Sequence, residues 1–452
     1  MTLISRNPAD PADILVELRS PGAFAAADAV ERARVAQTGW VTAGAGARAT
    51  ALGALATAIE TAGDELAALA VREVGKPLAE ARAELARTVA LWRYYAQAPY
   101  EATGTVHEPA AGAGLLLTRR RPHGVAALIT PWNFPFAIPS WKAAPALAVG
   151  NAVVLKPAPE ATACALRLAE LARRALPEGV FTVVPGGAAE GAALVSAADV
   201  VSFTGSSAVG AGVVRAATER GVPVQAEMGG LNAAIVLPDA DMALAARHIA
   251  ASVAGYAGQK CTATSRVVAV GAALEPLREA LAEELRAVPV GDPGDPGTVC
   301  GPLITEAARD ATAAAWADLP VLAGGAVPDR TGWYAAPTLV EKAGPDHRLL
   351  REEVFGPVAA LLPARDLDHA VRITNAARYG LVTSVHTADL AAALHGLDAL
   401  DTGMIRINAP TTGVDFHLPF GGAKDSSHGP REQGRAALEF YTSSRTYTLV
   451  PG

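Results

Sequence analysis

Cys261 stands in Tyr256-Ala257-Gly258-Gln259-Lys260-Cys261-Thr262-Ala263-Thr264-Ser265-Arg266, a polar stretch with a glycine rather than an apolar run. A structural cysteine behaves as a small hydrophobe and favours apolar neighbours. A nucleophilic cysteine needs partial exposure and an electropositive surround that favours thiolate. Lys260 and Arg266 are close enough in sequence to supply one, and a core cysteine beside unrelated charges fits this stretch equally well. Four other segments carry residues suited to chemistry. Ile129-Thr130-Pro131-Trp132-Asn133-Phe134-Pro135 sets Asn133 in a proline-braced turn. Asn133 is a turn residue by type, and its carboxamide is also the uncharged donor an oxyanion hole uses. Val154-Leu155-Lys156-Pro157-Ala158-Pro159-Glu160 places a lysine after apolar residues, either on the surface or at a sheet edge where it meets ribose or phosphate. Phe203-Thr204-Gly205-Ser206-Ser207-Ala208-Val209-Gly210 turns through Gly and Ser into a helix, whose N-terminal N–H groups suit a pyrophosphate. No Gly-Lys-Ser/Thr follows, so it is not a triphosphate loop. Val224-Gln225-Ala226-Glu227-Met228-Gly229-Gly230 sets a carboxylate among apolar residues and glycines. Desolvation there raises its pKa toward that of a general base working near neutral pH, and a salt-bridged structural glutamate is the competing reading.

These segments need elements to bring them together. Phe24 to Ala36 and Ala47 to Glu73 carry apolar residues at helical spacing. Gly104 to Arg121 reads as a hairpin. Short apolar runs then alternate with helices, the pattern of a parallel sheet. The strands are predicted at Val125–Ile129, Ala152–Leu155, Val180–Val184, Val200–Phe203 and Val224–Glu227. Such a doubly wound α/β unit binds ligands at the carboxyl ends of its strands, where all four segments fall. A second α/β unit begins near Asn232, with strands at Ala233–Val236 and Arg266–Val270 and helices at Met242–Tyr256 and Leu274–Val288. Pro289 to Pro302 is a Gly/Pro-rich loop, and Phe440 to Val450 a terminal strand whose edge invites pairing with another subunit. Gly44-Ala45-Gly46-Ala47-Arg48-Ala49 matches a dinucleotide fingerprint, but it lies between two helices with no strand before it and reads as a helix–helix junction.

Bulk properties exclude several classes. A chain of 452 residues exceeds a single core, and 51% hydrophobic with 18% charged residues is globular composition. A net charge of −7 argues against general nucleic-acid binding, and Arg119-Arg120-Arg121 reads as a solvated strand end. Three widely spaced cysteines, with no CxxC and no HExxH, predict neither disulfide framework nor metal site. No apolar leader opens the chain, and the prolines of Gly124 to Leu155 disfavour a membrane helix; a soluble cytoplasmic protein without membrane partners is expected.

Taken together, Asn133, Lys156, Gly205, Glu227, Cys261, Glu353-Val354-Phe355-Gly356-Pro357 and Pro419-Phe420-Gly421-Gly422-Ala423-Lys424 resemble the aldehyde dehydrogenase superfamily, in colinear order from about residue 20. The 34-residue separation of Glu227 and Cys261 also resembles the family's spacing of base and nucleophile. The resemblance implies an aldehyde dehydrogenase-like α/β fold. Its Rossmann-type NAD(P)-binding domain would span 1–103 and 122–229, its α/β catalytic domain 230–425, and a small β oligomerisation element 104–121 and 426–452. It implies that Cys261 attacks an aldehyde, that Asn133 and the Cys261 N–H hold the oxyanion, that hydride passes to NAD or NADP, and that Glu227 activates water to hydrolyse the thioester. Retention of Glu227 favours this hydrolysing branch over transfer to coenzyme A. Cofactor contacts are implied for Ile129, Thr130, Pro131, Trp132, Lys156, Pro159, Glu160, Phe203, Thr204, Gly205, Ser206, Val209, Gly210, Met228, Gly229, Glu353 and Phe355. Pro159 occupies the position where many NAD-preferring members carry a Glu, with Glu160 one residue on, so both cofactors remain open. The substrate pocket implied is Phe134, Phe136, Trp141, Lys260 and Phe420, with Lys260 either recognising a carboxylate, lowering the thiol pKa or facing solvent. The segment Lys424-Asp425-Ser426-Ser427-His428-Gly429-Pro430-Arg431-Glu432-Gln433-Gly434 differs from the commoner K-x-S-G-x-G-R-E and looks like the α-ketoglutaric semialdehyde dehydrogenase branch. Phosphonoacetaldehyde or succinate semialdehyde enzymes, or a silent binding protein on the same fold, are the alternatives. The hairpin and terminal strand imply a homodimer or homotetramer.

Overall fold

Strand pairing in the computed structural model, which describes residues 2–450, sorts the chain into two large sheets and an antiparallel ribbon. Met1, Pro451 and Gly452, at the outer ends of the expected units, lie outside the described residues. The first sheet has the spatial order Ser427–His428, Val224–Glu227, Val200–Thr204, Val125–Ile129, Ala152–Lys156, Phe181–Val183. All its pairings are parallel except that of Ser427–His428 with Val224–Glu227. Every residue of Val125–Ile129, Ala152–Lys156 and Val200–Thr204 is buried. Helices cover both faces, which is why these strands are continuous apolar runs rather than alternating ones. From Val125–Ile129 the chain winds outward on one side to Phe181–Val183, then returns to the other side at Val200–Thr204. That reversal opens a crevice at the strands' carboxyl ends, the usual ligand position in open α/β sheets.

The second sheet runs Val321–Ala323, Thr338–Glu341, Val358–Ala364, Thr264–Val270, Asn232–Val236, Val382–His386, Met404–Ile407 and is parallel but for its first pair. The strands past residue 300 are additions to the sequence reading. A short apolar run such as Val358-Ala359-Ala360-Leu361-Leu362 has no periodicity that separates strand from buried helix. A hairpin of Thr2–Arg6 and Ile14–Arg19 is likewise additional.

The helical N-terminal region differs in its breaks. The expected helix Ala47 to Glu73 is two helices, Gly44–Thr61 and Gly63–Val74, interrupted at Ala62–Gly63. The Gly44-Ala45-Gly46 segment opens the first of these, directly after helix Gly22–Thr42. Helix Leu78–Tyr95 follows and lies against helix Ala137–Ala148, which carries Trp141. The hairpin region forms strands Val106–His107 and Leu115–Pro122, and the latter pairs antiparallel with Thr442–Leu449 along its whole length. Arg120 in this ribbon donates to Thr442 Oγ1 and the Glu439 carbonyl. Among the described residues, no helix is long and apolar enough to cross a membrane, and no group of three His, Cys, Asp or Glu could hold a metal.

Candidate active site

Cys261 follows a strained turn. Helix Met242–Ala254 ends in Gly255–Gly258, where Tyr256, Ala257 and Gly258 all take left-handed backbone angles (φ 54°, 53° and 65°). Non-glycine residues in that region carry strain that the surroundings must hold in place. Tyr256 is held by its hydroxyl, which donates to the Val74 carbonyl. At Gly258 a Cβ would run into the Gly356 carbonyl, so glycine is required by space as well as by φ. Gln259, wholly buried, ties the turn down: its Oε1 accepts from Ile304 N–H and its Nε2 donates to the Pro302 carbonyl. Beyond the turn, Asn232 Nδ2 donates to the carbonyls of both Cys261 and Ala263 at 2.7 Å. Neither Gln259 nor Asn232 stood out in the sequence, because each acts through backbone atoms far from it along the chain.

Asn133 Nδ2 donates to the Gln259 carbonyl (3.0 Å), so the carboxamide from the first sheet is registered on the turn before Cys261 from the second. The amide has a further N–H beyond this bond, and its Oδ1 is buried without a partner. Glu227 ends strand Val224–Glu227, almost fully buried. Its Oε2 accepts from Ser427 Oγ, whereas Oε1 has no partner. Burial pushes its carboxyl well above the ordinary range and Glu432 adds to this, while the Ser427 hydroxyl opposes it. Glu432 pairs with Lys142 in the interior, and Ser202 Oγ accepts from Lys142 Nζ at 2.8 Å. Lys142 and Glu432 were not singled out in the sequence; adjacent to Trp141 and Arg431, they form a buried ion pair whose charges act on Glu227.

The electropositive surround expected for Cys261 is absent. Lys260 Nζ donates to Glu80 Oε1 at 2.6 Å, and the buried Arg266 guanidinium is spent on the carbonyls of Leu231, Ile373 and Thr374. Burial therefore pushes the thiol up, and Glu353, Glu227 and Glu432 reinforce the shift. Burial thus favours the neutral thiol, and the cysteine lies half-buried at the end of a cavity. That cavity, of about 240 Å³, is lined by Cys261, Lys260, Phe134, Trp141 and Phe420 together with Glu80, Glu84 and Arg87 of helix Leu78–Tyr95. Trp141 and Phe420 face each other with ring centroids 5.7 Å apart. Phe136 does not line it. Its ring is fully buried in the core, below a backbone N–H that donates to Glu84.

The crevice of the first sheet fits a dinucleotide. Thr130 Oγ1 and Thr204 Oγ1, at the carboxyl ends of adjacent strands, are buried with no hydrogen-bond partner. Helix Ser207–Glu219 begins beside them after Gly205, and Ser206 makes no side-chain cap, leaving its first N–H groups open to an anion. Val209 is exposed in its first turn, and Gly210 packs so closely on Met228 and Phe203 that a Cβ there would meet both. Lys156 Nζ donates to the carbonyls of Pro157 and Gly186, and burial lowers it to about 8. Glu160 lies near enough to act on its charge, with Pro159 opening the intervening turn. At the other side Glu353 accepts from Gly230 N–H, and burial raises its carboxyl to about 7. A Cβ at Gly229 would collide with that carboxylate. Phe355, itself at φ 57°, meets Trp132 edge to face at 5.7 Å. Ile129 and Pro131 flank Thr130 on the same rim.

The comparisons agree with this geometry. The model of the "Aldehyde dehydrogenase family" matches residues 2–447. The chain is 37% identical to an alpha-ketoglutaric semialdehyde dehydrogenase of Bacillus subtilis (strain 168), over 98% of this chain and 94% of that protein. Among solved structures, an NAD-dependent aldehyde dehydrogenase from Sinorhizobium meliloti superposes with a TM-score of 0.95 at 34% identity, covering 100% of this chain and 92% of its own. An NADP-dependent enzyme of E. coli gives 0.96 at 32%, covering 100% and 95%. A cysteine on a strained turn, a buried carboxylate and a dinucleotide crevice thus meet on a fold shared over its full length, and the chain belongs to the aldehyde dehydrogenase family.

Proposed function

We propose that this NAD(P)-dependent aldehyde dehydrogenase oxidises a small carboxylate-bearing semialdehyde to the dicarboxylate, with Cys261 as nucleophile, Asn133 as oxyanion donor and Glu227 as base. The observation that carries the roles is the bond from Asn133 to the Gln259 carbonyl, which sets the carboxamide against the turn bearing Cys261. The substrate class rests on the likeness to alpha-ketoglutaric semialdehyde dehydrogenases and on a small cavity with aromatic walls in which Arg87 is the cation without a carboxylate partner among the described residues.

The neutral thiol of Cys261 must lose its proton to attack. Glu227, whose raised pKa makes it a proton acceptor near neutral pH, is the group suited to take it. The new C–S bond gives a tetrahedral oxyanion, which the Asn133 Nδ2–H and the Cys261 N–H stabilise. When bound, NAD or NADP supplies the hydride acceptor, with Lys156, Ser206, Glu353 and Phe355 as the residues that would hold it. The acyl group left on Cys261 is a thioester. Glu227 first releases the thiol proton to solvent, then takes a proton from the water that attacks the thioester, which frees the carboxylic acid and the Cys261 thiol. In the same reading, residues 1–103 with 122–229 form the cofactor-binding domain and 230–425 the catalytic domain. The ribbon of 104–121 and 426–452 would join two or four copies.

Cys261→Ala is expected to abolish aldehyde-dependent NAD(P)H formation. Glu227→Gln should slow the first burst of NAD(P)H and lose about 100- to 10,000-fold in steady-state turnover. Full turnover by Cys261→Ala would overturn the assignment of the nucleophile, and unchanged steady-state turnover by Glu227→Gln that of the base.

A further inference from the structure

The cavity in front of Cys261 holds three groups of charge from one helix face. Glu80, Glu84 and Arg87 recur at i, i+4 and i+7 along Leu78–Tyr95, the spacing that puts side chains on one side of a helix. Two of the three are already matched. Glu80 accepts from Lys260, for which recognition of a substrate carboxylate was one of three roles left open by the sequence. Glu84 pairs with the buried Lys76, and its second oxygen accepts from the N–H groups of Phe136 and Ala137. Arg87 is half-buried and, among the described residues, forms neither an ion pair nor a hydrogen bond. Arg406, on strand Met404–Ile407, stands close enough for the two guanidiniums to repel, and it donates to the Gly413 carbonyl of the loop that closes the cavity's other wall. Asp415 lies near enough to offset the Arg406 charge, which leaves Arg87 as the unmatched cation beside aromatic walls, complementary to an anion.

Building on the proposed semialdehyde chemistry, we infer that Arg87 binds the carboxylate at the far end of the aldehyde substrate and is the residue that selects charged over neutral aldehydes. Arg87 lies along the helix from Glu80 and Glu84, so the substrate spans from Cys261 to the guanidinium with its methylene chain between Phe134, Trp141 and Phe420. The planar guanidinium takes both carboxylate oxygens at once, which a lysine cannot reproduce. Arg406 acts behind it, keeping the loop at Gly413 in place.

The test uses the full chain with NAD+ or NADP+ and two aldehydes of equal length, 5-oxopentanoate and pentanal. Arg87→Met should lower kcat/KM for 5-oxopentanoate about 10- to 100-fold, through KM, as expected when a charge-assisted pair is lost. It should leave pentanal within about threefold, since the apolar walls are untouched. Arg87→Lys should recover part of the loss. Equal losses on both aldehydes, with an unchanged melting curve, would overturn the inference, as would an undiminished preference for 5-oxopentanoate in Arg87→Met. A wild-type enzyme that oxidises pentanal but shows no preference for 5-oxopentanoate would instead sink the semialdehyde reading itself.

Discussion

At the scale of single residues, the site is defined by what each polar atom has already been given. Cys261 has no cation to hold a thiolate, so its reactivity depends on a base. Glu227 has one oxygen bound to Ser427 and one free, so it can hold a proton without leaving its place. Ser427 accepts in turn from Gly422 N–H at 2.6 Å, which orients its hydroxyl hydrogen toward the carboxylate. That bond favours the charged form of Glu227, against burial and the Glu432 charge. Ser427→Ala should therefore raise the Glu227 pKa further. The rising acidic limb of thioester hydrolysis should move to higher pH, measured by single-turnover acid-quench after the NAD(P)H burst. A profile that does not move, or moves to lower pH, would remove Ser427 as a positioning residue. Lys260 illustrates the opposite case: its sequence position beside the nucleophile is suggestive, but Glu80 satisfies it.

At the scale of elements, the turn Gly255–Gly258 before Cys261 is held in a strained conformation. Three consecutive left-handed residues replace the last helical turn and deliver Cys261 toward Asn133. The anchors come from three directions: Tyr256 to the Val74 carbonyl, Gln259 to the loop at Pro302–Ile304, and Asn232 beneath Cys261. Gly258→Ala would combine a disfavoured φ with a backbone collision. Its expected cost is roughly 1–3 kcal/mol for the strained position, seen as a lower melting temperature, with activity falling more than stability because the turn shifts Cys261. A variant with wild-type turnover and melting would show that the turn tolerates displacement. Strand and helix positions in the first sheet were legible from apolar runs alternating with helices. The break at Ala62 was not, because helix Gly44–Thr61 and helix Gly63–Val74 continue the same Ala- and Leu-rich pattern across it. The later strands of the second sheet escaped for the same lack of local signal.

At the scale of the whole molecule, the ribbon formed by Leu115–Pro122 and Thr442–Leu449 joins residues more than 300 positions apart and leaves most of its side chains exposed or half-buried. Thr2–Arg6 and Ile14–Arg19 form another partly exposed hairpin. A long antiparallel ribbon with one open edge is a surface natural proteins cover or pair. Light scattering on the purified chain should give the mass of two or four copies of 46.0 kDa. Removing residues 442–452 should reduce that mass, and a monomer in the unmodified chain would reject the oligomeric proposal.

The sequence by itself singled out a candidate nucleophile, base, amide donor and nucleotide crevice, Cys261 by its polar neighbours and the others by their place at strand ends. It was also enough for the family, because those segments occur in colinear order. Only the tertiary structure decided which charges are free. Whether Lys260 or Arg87 faces a substrate unmatched depends on Glu80, 180 residues before Lys260, and no local pattern records that partner. The same is true of the thiol. Its environment is set by Glu353, Glu227 and Glu432, brought close by folding, and not by the basic residues beside it in the chain. Phe136 and Phe134, two positions apart, are separated into core and cavity wall by the turn that carries them. Electrostatic partnership acts through space, so the chain's order can name the actors but only the packed fold assigns their partners.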